Sequence, residues 1–231
     1  MLRSLIDSYL FPRVCHICGR KLVDNERYVC LHCTELLAHT NFEPKADTPL
    51  FQRYARQHDI AAATALFHYT TASRLLVHRA KYHHHTALAK YLGELMAYEY
   101  ADTDFLNDID FIVPVPLHWI RKFWRGYNQS EMLCQGIATV TGRNIDTKHL
   151  VRVHNNQSQT TLNHEERRKH KQGLFALLQD HQWNGKHILL VDDVYTTGAT
   201  IDACIDTIRN NSNNVTISIY TLTYAGLTNL R

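Results

Sequence analysis

Residues 187–200 read His-Ile-Leu-Leu-Val-Asp-Asp-Val-Tyr-Thr-Thr-Gly-Ala-Thr, and this stretch restricts the fold more than any other. Its apolar run, Ile188–Val191, is the pattern of a strand buried on both faces in the middle of a parallel sheet. The run leads into two adjacent carboxylates, Asp192 and Asp193, then into small residues, Thr196, Thr197, Gly198, Ala199 and Thr200. Ile201, Cys204, Ile205 and Ile208 follow at the spacing of one helical face. Open α/β sheets bind ligands just beyond the carboxyl ends of their strands. Hydroxyls and backbone N–H groups at a helix N-terminus can wrap a phosphate there, and Gly198 admits a backbone approach that a side chain would block. The plainer alternative is a strand–turn–helix joint whose Asp and Thr only cap the helix. Paired aspartates at the end of a buried strand are costly unless something binds them, which favours a ligand site.

The remaining elements alternate in the same way. Ala61–Tyr69 and Phe111–Pro116 read as strands, and Val215, Ile217 and Ile219 mark a last one. Leu88, Leu92, Leu95 and Met96 put one apolar face on a helix over Thr86–Tyr100. Leu133, Ile137 and Val140 mark another helix, which Gly142 would cap. Strands alternating with helices imply a mostly parallel sheet flanked by helices. The chain has 231 residues, 45% hydrophobic and 20% charged, enough for one such domain and a small accessory module. Three parts follow: residues 1–40 with a short amphipathic helix over Met1–Phe11 and the cysteine module, a polar connector at 41–59 carrying Pro44 and Pro49, and the α/β domain at 60–231. The opening residues have neither the continuous apolar stretch nor the cleavage site of a signal peptide. With no apolar run long enough to span a bilayer, a cytoplasmic protein is expected.

Six cysteines are present, and four of them form two CxxC knuckles, Cys15–Cys18 and Cys30–Cys33. Two intervening residues let both sulfurs of a knuckle face one metal, and two knuckles complete a tetrahedron. Without a secretory signal the pattern favours metal over disulfides. Thiolates select structural zinc, with an iron site or unmetallated cysteines as the alternatives. His16 and His32 are surplus to a shell of four thiolates. Cys134 and Cys204 lie on apolar helix faces and read as core thiols. The run His83-His84-His85 reads as surface.

A basic, aromatic stretch follows the 111–116 strand. His118, Arg121, Lys122 and Arg125 supply donors for an anion such as pyrophosphate. Trp119, Phe123, Trp124 and Tyr127 interleave with them, a spacing suited to stacking and backbone contact with single-stranded nucleic acid; Trp119, Arg121, Lys122 and Trp124 are the candidates. Burial of at least two of the four aromatics as loop anchors would explain the same spacing. The formal charge is only +3 with all 16 histidines neutral, so nucleic-acid binding rests on this local patch. Lys148–Lys171 is polar, basic and without clear periodicity. It reads either as a mobile flap closing over a ligand at 150–172 or as a solvated loop.

The 187–200 segment resembles the signature by which type I phosphoribosyltransferases bind 5-phosphoribosyl 1-pyrophosphate (PRPP): four apolar residues, two acids and a Thr/Gly-rich loop. Asp110-Phe-Ile-Val-Pro-Val-Pro-Leu-His118, then Arg125-Gly-Tyr-Asn-Gln129, is similar to the ComF family of competence-associated proteins. So are Val151–Phe175, with Gln159, Thr160, Leu162, Arg167 and Gly173-Leu-Phe175, the Lys81-Tyr82 pair and the four-cysteine module. The likeness covers nearly the whole chain, with 41–59 outside it. It implies a type I phosphoribosyltransferase-like α/β domain behind a zinc-ribbon module, structural zinc, magnesium bound with PRPP, and a cytoplasmic role in natural transformation or DNA uptake.

On that resemblance Thr196, Thr197, Gly198, Ala199 and Thr200 hold the 5-phosphate, and Asp192 and Asp193 the ribose hydroxyls. Of the two pyrophosphate-side candidates, Arg125 is carried over by the resemblance and His118 is read from its chemistry and position; Gln159 and Arg167 belong to the flap. If the protein is catalytic, pyrophosphate is displaced at the ribose anomeric carbon through a cationic transition state. The residues identify neither an acceptor nor a catalytic base. The alternatives are an accessory protein binding single-stranded DNA or a competence helicase, and a nucleobase salvage enzyme.

Overall fold

The structure, a computed structural model, describes residues 12–82, 85–153, 173–179 and 182–226. The expectations for Met1–Phe11, for His83 and His84, and for the flap residues Gln159 and Arg167 lie outside them.

Seven strands occur among the described residues: β1 (Ala62–His68), β2 (Phe111–Pro114), β3 (Asn144–Ile145), β4 (Leu150–Arg152), β5 (Phe175–Leu177), β6 (His187–Tyr195) and β7 (Thr216–Tyr224). Five form one sheet in the order β1-β7-β6-β2-β3, with every neighbouring pair parallel. This is the mostly parallel sheet that the strand–helix alternation implies. β4 and β5 pair antiparallel as a separate ribbon, so the stretch expected to lack periodicity begins with a short strand.

The central strand shows why its sequence is a continuous apolar run. Leu189 and Val191 face one hydrophobic cluster, Ile188 and Leu190 the other, and all four are fully buried. Burying each is worth roughly 1.5–3 kcal/mol over leaving it exposed, and β6 does so on both faces. One cluster joins the sheet to α3 (Thr71–Lys81), α4 (Thr86–Glu99) and α6 (Gln129–Thr141). The other joins it to α2 (Pro49–His58), α7 (Ala199–Asn211), Trp183 and the β4–β5 ribbon. Helices α4 and α6 meet backbone to backbone: a Cβ on Gly136 would fall 2.1 Å from the Lys90 carbonyl oxygen. Gly142 caps α6 in a left-handed conformation, as its sequence position implies, and Cys134 and Cys204 are buried core thiols.

The cysteine module, with its short helix α1 (Leu31–Glu35), shares a core with the domain. Leu22, Val29 and Leu37 belong to the same cluster as Leu66, Phe67, Leu88 and Leu92. The Thr40 N–H donates to the Leu66 carbonyl at 3.0 Å, and the His68 N–H to that of Ala38 at 2.8 Å. Arg27 pairs with Glu94 at 2.7 Å. His85 is partly buried, its ring edge-on to His16 at 4.9 Å, and so is not the free surface residue expected.

Four helices are absent from the sequence expectations: α1, α2, α3 and one over Trp119–Arg125. The supposed connector contains α2, because Pro49 occupies its first turn and Thr48 caps it, accepting from the Phe51 N–H at 3.2 Å. Leu50 and Tyr54, one turn apart, are fully buried against the sheet. Helix α3 begins with a capping box formed by Thr70 and Ser73. Among the described residues no helix is long and apolar enough to cross a membrane.

Candidate functional site

The parallel strands deliver their following loops to one edge of the sheet, and the candidate residues gather there. Strand β6 runs on past Val191 to Tyr195, because β7 continues to pair with it as far as Tyr224. The two aspartates therefore lie within the strand, not beyond it. Asp192 Oδ1 accepts from the Ser130 hydroxyl at 3.0 Å and from the Asp193 N–H at 2.9 Å. Burial, and then the neighbouring charge of Asp193, raise the Asp192 carboxyl from its ordinary 3.8 to about 7. Asp193 turns the other way, to the Lys81 ammonium at 2.8 Å.

Three chain segments converge on this pair. The Tyr127 hydroxyl donates to the Ala80 carbonyl, and Gln129 Nε2 to the Lys81 carbonyl at 3.2 Å. Arg125 lies over the Tyr82 ring at 5.6 Å and donates to Gln129 Oε1 at 3.0 Å. Lys81-Tyr82, residues 125–130 and Asp192-Asp193 thus form one connected wall.

Beyond β6 the chain turns through Thr196 and Thr197, both exposed, to Gly198, which is buried with φ +80°. Helix α7 starts at Ala199 with Gly198 as its N-cap and no side-chain cap. N–H groups at a helix start, with threonine hydroxyls nearby, are groups that could receive an anion. A Cβ on Gly198 would lie 2.6 Å from the Tyr54 hydroxyl and 2.8 Å from that of Tyr195. Gly198→Ala should therefore destabilise the protein by about 2–4 kcal/mol, from the left-handed backbone and the crowded hydroxyls together. A melting temperature unchanged by this substitution would mean that the turn relaxes freely.

Helix α5 (Trp119–Arg125) follows β2. His118 is buried and caps it, Nδ1 accepting from the Ile120 N–H at 3.3 Å, so this candidate sits at the mouth of the loop as a helix cap. Trp119, Phe123 and Trp124 are 68%, 78% and 80% exposed. Tyr127 alone of the four aromatics is a buried anchor, so the alternative in which at least two of them anchor the loop does not hold. Arg121 and Lys122 are exposed beside them, Lys122 reaching Glu131 at 3.2 Å.

In the cysteine module the four Sγ atoms of Cys15, Cys18, Cys30 and Cys33 lie within 4.8 Å of one another, three of the residues buried. The N–H groups of Ile17 and Cys30 each point at Cys15 Sγ at 3.4 Å. Burial raises the Cys15 thiol, but hydrogen bonds from the surrounding backbone outweigh it and bring it down to about 6. A compact set of thiols with N–H donors turned toward sulfur suits a soft metal ion, and the cluster could hold one such as zinc.

Sequence reasoning left Ser130 and Lys81 off the site. Ser130, in the first turn of α6, looks like a cap residue until the fold brings Asp192 to it. Lys81, at the end of α3, had the signal of the Lys81-Tyr82 pair, but its partner lies on β6, far along the chain.

No protein-family model matches the chain. It is 32% identical to the DNA utilization protein YhgH of Salmonella typhimurium over 195 residues, 81% of this chain and 80% of that protein. Competence protein F of Haemophilus influenzae is 27% identical over 200 residues, 83% of this chain and 76% of that protein. Among solved structures, the glutamine PRPP amidotransferase of B. subtilis is 17% identical, with a TM-score of 0.41 over 58% of this chain and 25% of that one. With such identity over four-fifths of the Salmonella protein, the chain belongs to the ComF family, that of the DNA utilization protein YhgH and competence protein F.

Proposed function

We propose that this protein binds PRPP with Mg²⁺ at the carboxyl edge of its sheet and serves in the cytoplasmic handling of DNA. The observation that carries the reading is the junction at the end of β6. There a half-buried Asp192, a lysine-paired Asp193 and the loop Thr196–Thr200, open at a helix N-terminus, follow one another within nine residues. In this reading the loop holds the 5-phosphate, and Asp192 and Asp193 accept from the ribose hydroxyls. His118 and Arg125 face the pyrophosphate and its Mg²⁺, and the 150–172 stretch, with Gln159 and Arg167, is the flap expected from the sequence. If turnover occurs, the bond from the anomeric carbon to the pyrophosphate oxygen breaks as an incoming acceptor bonds to that carbon, and the electron pair leaves with pyrophosphate. The four cysteines hold structural zinc, apart from this chemistry, because a shell of four thiolates leaves no open position.

The test is thermal unfolding of the full chain with and without PRPP and Mg²⁺. Ligand at about 100 Kd should add roughly 2.7 kcal/mol, a melting shift of about 5–10 °C. No shift at millimolar ligand would remove PRPP from the account.

A second activity has its own observation in the exposed aromatics of α5. Trp119, Phe123 and Trp124 beside Arg121 and Lys122 offer single-stranded DNA both stacking and backbone contact. Quenching of tryptophan fluorescence by a thymidine oligonucleotide should report binding, which Trp124→Ala weakens roughly tenfold. Neutralising Arg121 and Lys122 should flatten its salt dependence. Binding unchanged in both variants would exclude this helix.

A further inference from the structure

We propose that Arg53, on helix α2, is a phosphate-recognition residue of the 196–200 loop, and that Tyr54 beside it positions that loop. This rests on the PRPP reading above and adds a residue from the stretch 41–59, which the family likeness leaves out. The guanidinium carbon of Arg53 lies 3.1 Å from the point where a Cβ on Gly198 would sit, so its charge is against the turn itself. Residues 194–201 contain no Lys or Arg, and the first turn of α7 carries a carboxylate, Asp202. That carboxylate suits the helix dipole but repels a dianionic phosphomonoester arriving at the same helix end.

Arg53 answers both charges. Its Nη2 donates to Asp202 Oδ2 at 2.8 Å, while its Nε–H is buried without an acceptor. The side chain remains 36% exposed, and the fork of a guanidinium has donors to spare for a phosphate oxygen. Tyr54 donates to the Gly198 carbonyl at 3.3 Å, holding the turn from behind.

Helix α2 is fastened where this requires. Arg209, on α7, donates to the carbonyls of His58 and Asp59 at 3.3 and 2.9 Å. The His58 ring lies between Asp202 and Asp206 at 3.9 and 3.7 Å. The two helices are therefore tied to each other, and a ligand at the turn would give the buried Nε–H a reason to be kept unpaired.

Three probes separate the parts of the ligand: PRPP with Mg²⁺, ribose 5-phosphate, and pyrophosphate with Mg²⁺, each titrated calorimetrically into the full chain. Arg53→Gln should weaken PRPP and ribose 5-phosphate by roughly ten- to hundredfold and leave pyrophosphate within about twofold. Arg53→Lys should recover part of the loss. Asp202→Asn, which breaks the same ion pair but keeps the cation, should bind ribose 5-phosphate at least as well as the wild type. Ribose 5-phosphate binding untouched by Arg53→Gln, or equal losses for all three probes and for Asp202→Asn, would overturn the assignment and make Arg53 a structural residue. A wild type that binds none of the probes would instead fail the PRPP reading itself, and this proposal with it.

Discussion

Replacing Cys30 with Ser, or stripping the metal with a strong chelator, should lower the melting temperature of the whole chain by on the order of 10 °C. The expectation comes from how the module is joined to the domain. Cys15, Cys30 and Cys33 are buried in the same apolar cluster as Leu66, Phe67, Leu88 and Leu92. Across that junction Tyr28 meets Tyr91 with ring centroids 5.1 Å apart, and Arg27 both pairs with Glu94 and lies over the Tyr91 ring. A module of this size has too little apolar area to fold by itself, so the binding free energy of a metal held by the four cysteines would become folding free energy. Losing it exposes the adjoining faces of α4 and β1, for which about 3–5 kcal/mol is a reasonable loss, and a chain of this size melts some 2–4 °C lower per kcal/mol. Calorimetry should show a single transition moving down, with elemental analysis finding one zinc in the untreated protein. Two separate transitions, with the upper one unmoved, would make the module an independent appendage. Iron in place of zinc would change the metal but not the shift.

How much of this could be read from residues alone depends on the range of the interaction. Ile188–Val191 was legible because a strand buried on both faces must be apolar at every position. The cysteine centre was legible because both knuckles carry their geometry in a spacing of two. Helix α2 was not: its two burying residues, Leu50 and Tyr54, stand among Gln52, Arg53 and Arg56, and composition reads as a polar loop. Its role beside Gly198 depends on a fold that brings residues 53 and 198 together, and no local pattern records that. The same holds for Lys81 with Asp193 and for Ser130 with Asp192. The aromatics of α5 fail differently, since Trp and Phe look alike in a sequence whether they anchor a loop or face solvent.

Asp192→Asn should abolish the melting shift given by PRPP and Mg²⁺ while making the free protein more stable above neutral pH. In the unfolded chain this carboxyl ionises near 3.8, and in the folded chain only near 7. Between those values the folded state holds the extra proton, so the group's contribution to stability is full below about pH 4 and is lost as pH rises to about 7. At pH 8 the wild type carries a half-buried charge beside Asp193 that asparagine does not. The variant should then gain on the order of 2 kcal/mol, or about 5 °C, a gain that disappears near pH 4. Binding runs the opposite way. A ribose hydroxyl donates best to the ionised carboxylate, so affinity for PRPP should fall as pH drops below 7, and binding at pH 7 should release a proton. Calorimetry in buffers of different ionisation enthalpy reads that proton directly. Because the phosphates of PRPP also titrate in this range, Ser130→Ala provides the control. It removes a donor that favours the Asp192 anion, and should move the affinity midpoint to higher pH while the ligand's own titration stays put. A midpoint identical in wild type and Ser130→Ala would assign the pH dependence to the ligand and leave Asp192 without a role in binding.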